Sequence, residues 1–80
     1  MVAYAVELAT RYDGLVIASL PDLPGVTGLG RDDEEALADA RDALAEALKG
    51  FAADGAAPPE PLAAGAIRIE AVLEIPLAAV

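Results

Sequence analysis

Large and small side chains alternate along residues 2–11, with Val2, Tyr4, Val6 and Leu8 on one side and Ala3, Ala5, Glu7 and Ala9 on the other. That period of two predicts a strand with one packed face. Tyr12-Asp13-Gly14 follows, and Asp-Gly is a hairpin signal because glycine accepts positive φ. Leu15–Leu20 then reads as a second, antiparallel strand. It is apolar on both faces, Val16, Ala18 and Leu20 being backed by Leu15 and Ile17, which predicts a central place in the sheet. The two prolines of Pro21-Asp22-Leu23-Pro24-Gly25 should interrupt the ladder, leaving Val26–Leu29 as a short third strand.

A helix is predicted over 33–53. Asp32 or Asp33 can cap it, and Glu34 and Glu35 sit in the first turn, where the helix dipole favours negative charge. At about 100° per residue, Ala36, Leu37, Ala40, Ala43, Leu44, Ala47, Leu48 and Phe51 occupy an arc of about 140°, a single apolar face. Asp54-Gly55 stops the helix, and Ala56–Pro61, with three prolines, is an extended connector. Residues 66–75 return to period two, with Ile67, Ile69, Ala71, Leu73 and Ile75 facing one way, and Pro76 ends that strand or holds it at an edge. The order β-β-β-α-β defines an α+β fold with one helix on one face of a sheet. The second strand offers apolar groups to both faces, so the uncovered face is expected to support self-association through the sheet or its edges, making a homo-oligomer.

Composition narrows the chemistry. Eighty residues suffice for one domain, read here as 1–80, and so short a chain buries only about 60% of its unfolded surface. No cysteine is present to reinforce that core. Histidine, asparagine, glutamine and tryptophan are also missing, which excludes a Ser–His or Cys–His nucleophile pair and a histidine zinc site. Five basic residues against 14 acidic ones give a formal charge of −9. Such a chain repels phosphates, so direct nucleic-acid binding is not expected and a basic protein is the natural partner. A basic n-region is lacking, Glu7 interrupts any apolar signal core, and no charge-free run approaches the roughly 18 residues of a membrane span. The expected location is the cytoplasm, without membrane contact.

Carboxylates are the one plentiful reactive group. Asp32-Asp33-Glu34-Glu35 point around a helix circumference and do not converge on an ion, so capping and dipole compensation explain them. Asp22 in its proline-framed loop reads as a turn former. Gly25, Gly28 and Gly30 miss the spacing of both phosphate-binding glycine loops, and no lysine follows. No cofactor, metal or catalytic residue is assigned. Glu35, Asp39, Asp42 and Glu46, however, follow i, i+4, i+7, i+11 and form one acidic stripe on the helix. Neighbouring like charges each cost a helix a few tenths of a kcal/mol, about as much as an opposite pair contributes, and only Lys49 relieves this row. The stripe is therefore a candidate docking surface for a basic partner, weighed against a simple solvated face. A metal-dependent nuclease would instead need Glu7, Asp22, Glu35 and Glu70 to converge.

One combination of motifs resembles a known family. Pro21-Asp22-Leu23-Pro24-Gly25 is followed by Thr27, Gly28 and Gly30, then Glu34-Glu35-Ala36-Leu37, Ala40-Arg41-Asp42-Ala43-Leu44 and Pro58-Pro59-Glu60-Pro61. Over residues 2–62 this is similar in order and spacing to the HicB-like antitoxins. Val26 stands where the family often has cysteine, and Asp32 replaces a threonine at the helix start with the same capping capacity. The resemblance implies a partial ribonuclease H-like fold without the nuclease carboxylates. It also implies an antitoxin role within a type II toxin–antitoxin system: binding and neutralising a small basic mRNA-cleaving toxin of the HicA-like kind. Many relatives add a C-terminal DNA-binding domain; none is expected before Val80. An orphan protein-binding or regulatory module that has lost its toxin is the neighbouring alternative.

Overall fold

The computed structural model describes residues 2–71. In chain order the elements are β1 (Val2–Ala5), β2 (Glu7–Thr10), β3 (Val16–Leu20), β4 (Leu23–Gly30), α1 (Asp33–Asp54) and β5 (Arg68–Ala71). The architecture is α+β, with one helix packed on the strands, as the periodicities predicted.

The first expected strand is divided at Val6, because its two halves pair with different partners. Residues 2–5 pair antiparallel with β5, Tyr4 opposite Ile69, while residues 7–10 pair antiparallel with β3, Glu7 opposite Ser19. Val6 is the hinge between the two ladders, and its N–H donates to Ile67 O at 2.9 Å. Asp13-Gly14 makes the hairpin turn, with Gly14 at φ 88° and its N–H on Arg11 O. β3 lies centrally in the order β2-β3-β4, as expected of a strand apolar on both faces.

The proline segment behaves differently from expectation. Pro21-Asp22 alone makes the turn, Leu20 pairs with Leu23, and β4 runs from there to Gly30. The prolines produce a register shift at Ser19/Leu20 and not a break. Pro24 is tolerated inside β4 because it falls in that register shift, where residues 24–26 have no partner on β3 and a missing N–H costs no ladder bond.

Helix α1 extends one residue past the expected end. Its N-cap is Asp32, whose Oδ1 accepts from Glu35 N–H at 2.8 Å. At the other end Gly55 is left-handed (φ 69°); its N–H donates to Ala52 O and that of Ala56 to Phe51 O, the paired bonds of a Schellman stop. Ala36, Ala40, Leu44 and Leu48 are buried, a narrower set than the eight-residue arc, since Leu37, Ala43, Ala47 and Phe51 are only partly covered. These residues close over Val2, Tyr4, Val6, Val16, Ala18, Leu20, Val26 and Ile69, which form the strand side of the core.

Gly28 and Gly30 set the depth of that packing. A Cβ on Gly28 would lie 2.3 Å from both Ala36 O and Ala40 N, and one on Gly30 would lie 2.4 Å from Ala36 N. The helix backbone rests directly on β4. This close approach is the use of two glycines that match no phosphate loop. The last strand begins at Arg68, two residues later than expected, and its predicted continuation over 72–75, with Pro76, lies outside the described residues.

Candidate protein-binding surface

The residues of the acidic stripe are all exposed on α1, yet they are not equivalent. Glu35 sits in the first turn and is used locally: its carboxylate accepts from Arg31 N–H at 3.2 Å and pairs with the Arg31 guanidinium at 3.3 Å. Asp39 reaches over the side of the sheet and accepts from Leu29 N–H at 2.9 Å. Glu46 lies 3.6 Å from Lys49 Nζ in an exposed pair, a geometry worth little in water. Asp42 has no hydrogen bond or ion pair among the described residues. Two members of the row thus have structural employment at the helix start and the β4 edge, while Asp42 and Glu46 are the most available charges.

Asp39 also reveals the direction of the β4 backbone. If Leu29 N–H points outward to a helix carboxylate, the Ile17–Leu29 and Ser19–Thr27 pairs are the wide, non-hydrogen-bonded ones, and Gly28 and Gly30 bond to β3. The N–H and C=O of Thr27 therefore face outward from the sheet, and Thr27 is exposed. Asp39 blocks this edge at Leu29 and leaves Thr27 open, and beyond Thr27 residues 24–26 leave the ladder.

Beside the open stretch lies a groove of about 430 Å³ between β4 and the C-terminal half of α1. Its walls are Pro24, Gly25, Val26, Ala47, Phe51 and Pro59, and Asp22 also lines it. The connector that supplies Pro59 is pinned at two points. Tyr4, fully buried, donates its hydroxyl to Pro59 O at 2.5 Å, and both Asp22 oxygens accept from Ala63 N–H at 3.0 and 3.2 Å. Burial raises the Tyr4 pKa above its ordinary value of about 10, and the nearby Asp22 charge adds to the effect. The Pro21–Gly25 segment thus does two jobs: it turns the chain between β3 and β4, and through Asp22 it anchors the connector that forms one wall. Sequence reading missed this groove because its lining comes from three distant segments. The one available signal was the PDLPG segment paired with a second proline cluster at 58–61.

On the sheet face away from α1, Ile17 and Ser19 are half-buried and Leu29 is 42% exposed. Glu7 and Glu70 are exposed in β2 and β5, Asp22 lies in the β3–β4 turn, and Glu35 belongs to the first helical turn. The four carboxylates considered for metal-dependent nuclease chemistry thus lie on separate elements. Among the described residues, no group of three or more His, Cys, Asp or Glu lies close enough to hold a metal ion. No helix of the described residues is long and apolar enough to cross a membrane.

Order and packing together define a small α+β domain whose single helix covers one face of antiparallel strands. That arrangement is similar to the N-terminal domain of the Burkholderia pseudomallei antitoxin HicB, with a TM-score of 0.62 and 19% identity. The matched region covers 66% of this chain and 62% of that one, so the chain spans less than two thirds of that domain. At this identity the likeness is one of fold, and it is the HicB-like fold that the motif resemblance implied. No protein-family model matches the chain, and no curated protein matches it.

Proposed function

We propose that this chain is a non-catalytic, antitoxin-like domain that binds a small basic ribonuclease toxin of the HicA-like kind and holds it away from RNA. The observation that carries the reading is an acidic HicB-like fold, with charge −9 and a row of exposed carboxylates on the outer face of the helix. A toxin that binds RNA must present cations, and surplus carboxylates both speed its capture and occupy the same cationic surface. Asp42 and Glu46 are assigned to this contact; Glu35 and Asp39 contribute charge while serving the local structure. The setting is cytoplasmic, residues 1–80 act as one domain, and self-association uses the uncovered sheet face around Ile17 and Leu29. Operator DNA is not bound directly by these residues.

The test is co-purification of the chain with the small basic protein encoded by an adjacent reading frame, together with inhibition of that protein's RNA cleavage. Binding at 50 mM salt that weakens by at least tenfold in Asp42→Lys/Glu46→Lys is the expected result. No complex at low salt overturns the reading, and RNA cleavage by the chain itself with Mg²⁺ replaces it with a nuclease.

A further inference from the structure

We infer that the outer edge of β4 is a strand-addition site, which takes an extended segment of the partner that alternates apolar and basic residues. The inference rests on the cationic-partner reading above and specifies the surface and the recognition mode. Three features of the molecule converge there.

The first is backbone. Thr27 presents an N–H and a C=O outward from an edge strand, the groups to which an added strand pairs. The Asp39–Leu29 bond closes the edge at one end and the unpaired residues 24–26, inserted between the Ser19–Thr27 and Leu20–Leu23 pairs, interrupt it at the other, limiting addition to the backbone of Thr27. An edge blocked over its whole length would show protection from pairing alone. Here Thr27 is left open between the two protected stretches, next to the groove.

The second is shape. The groove of about 430 Å³ lies next to that residue, walled by Val26, Ala47, Phe51 and Pro59, and is nearly all apolar. Alternate side chains of an added strand point to one side of the sheet, so an apolar residue there enters the groove while its neighbours point away.

The third is charge, which selects the occupant. Asp39 and Glu46, seven residues apart, lie on nearly the same line of α1, and Asp22 is among the residues that line the groove. A second copy of this chain would bring another nine net negative charges to the same place. A segment carrying Lys or Arg beside its apolar residues has the complementary sign.

The experiment titrates the full chain, ¹⁵N-labelled, with acetyl-Arg-Val-Arg-Val-Arg-Val-amide. The matching Arg-Gly peptide is the control, with equal charge but neither strand propensity nor apolar side chains. Expected are shifts at Val26, Ala47 and Phe51, at least tenfold slower exchange of the Thr27 amide at saturation, and at least tenfold tighter binding than the control. Gly50→Arg places a cation on the same helix flank, where a side chain meets open space, and should weaken the valine peptide at least fivefold without unfolding the chain. Thr27→Pro, which removes the outward N–H, should do the same.

Equal binding of the two peptides, with shifts spread along the acidic helix, overturns the strand-addition site. Shifts confined to Ile17 and Leu29 with unchanged Thr27 exchange overturn it too. Protection of Thr27 that grows with protein concentration in the absence of peptide assigns the edge to a second copy instead. Each of these leaves the cationic-partner reading intact if the adjacent basic protein still co-purifies. Failure of that protein and of both peptides to bind removes the two together.

Discussion

Replacing Gly28 by alanine tests the packing on which the whole surface depends. The added Cβ would stand 2.3 Å from Ala36 O and from Ala40 N, both backbone atoms, so no side chain can swing aside. Restoring ordinary contact at about 3.4 Å requires the helix to lift by about 1 Å over β4. A gap of that size forfeits a quarter to a half of each dispersion contact it opens. Ala36, Ala40, Leu44 and Leu48 all lie on the lifted face. Overpacking usually costs about 1–3 kcal/mol, and a backbone clash belongs at about 3 kcal/mol. A domain of 80 residues has a total stability of about 4–12 kcal/mol, so the loss is a substantial part of it. With a urea m-value of about 1 kcal/mol/M, the unfolding midpoint should fall by about 3 M, or Tm by about 12–24 °C. Gly50→Ala is the matched control. Its Cβ meets nothing within 4 Å on an exposed helix position, and it should stabilise by about 0.5–1 kcal/mol through helix propensity. Opposite signs for the two Gly→Ala changes are the expected outcome in urea denaturation. A Gly28→Ala midpoint within about 0.5 M of the parent would refute direct seating of the helix on β4.

Other consequences are local. Asp32→Ala removes the bond to Glu35 N–H and should cost about 1 kcal/mol in thermal unfolding, with Asp32→Ser restoring most of it. Tyr4→Phe leaves the Pro59 carbonyl without its donor and should cost about 1 kcal/mol, with faster proteolysis of the 56–63 connector. The same variant carries a pH signature. Because the Tyr4 pKa is raised by folding, the unfolded chain loses its phenolic proton first, so this contribution to stability is complete below pH 10 and declines as pH rises through the folded pKa. Tm should therefore fall less steeply above about pH 10 in Tyr4→Phe than in the parent. Asp39→Ala, which removes the acceptor, should leave global stability within about 0.5 kcal/mol while accelerating exchange of the Leu29 amide, since the bond lost is exposed.

These predictions separate two uses of one acidic helix. Capping and edge protection consume Asp32, Glu35 and Asp39, whereas Asp42 and Glu46 have no role in the core. Charge reversal at the second pair therefore probes binding with little structural cost, and substitution at the first group confounds the two.

Periodicity and local residue chemistry were enough for the helix, a cap at Asp32 or Asp33, the Gly55 stop, the Asp13-Gly14 hairpin and the buried sides of β1 and β3, because each follows from neighbours within a few residues; the structure selects Asp32. Periodicity did not reveal that residues 2–11 change partner at Val6, since both halves share one alternation and only β5, some 60 residues away in the chain, distinguishes them. Nor did it locate the end of the proline turn. Whether Pro24 interrupts a strand depends on where the β3–β4 ladder takes up its register shift, and that pairing is a long-range property. The acidic spacing on α1 was plain in the chain. The unequal duties of those carboxylates were not, because Leu29 N–H reaches Asp39 only after the helix settles on Gly28 and Gly30. The groove belongs to the same category. Val26, Phe51 and Pro59 become neighbours when Tyr4 and Asp22 anchor the connector, and a surface assembled from three separate segments has no period to read.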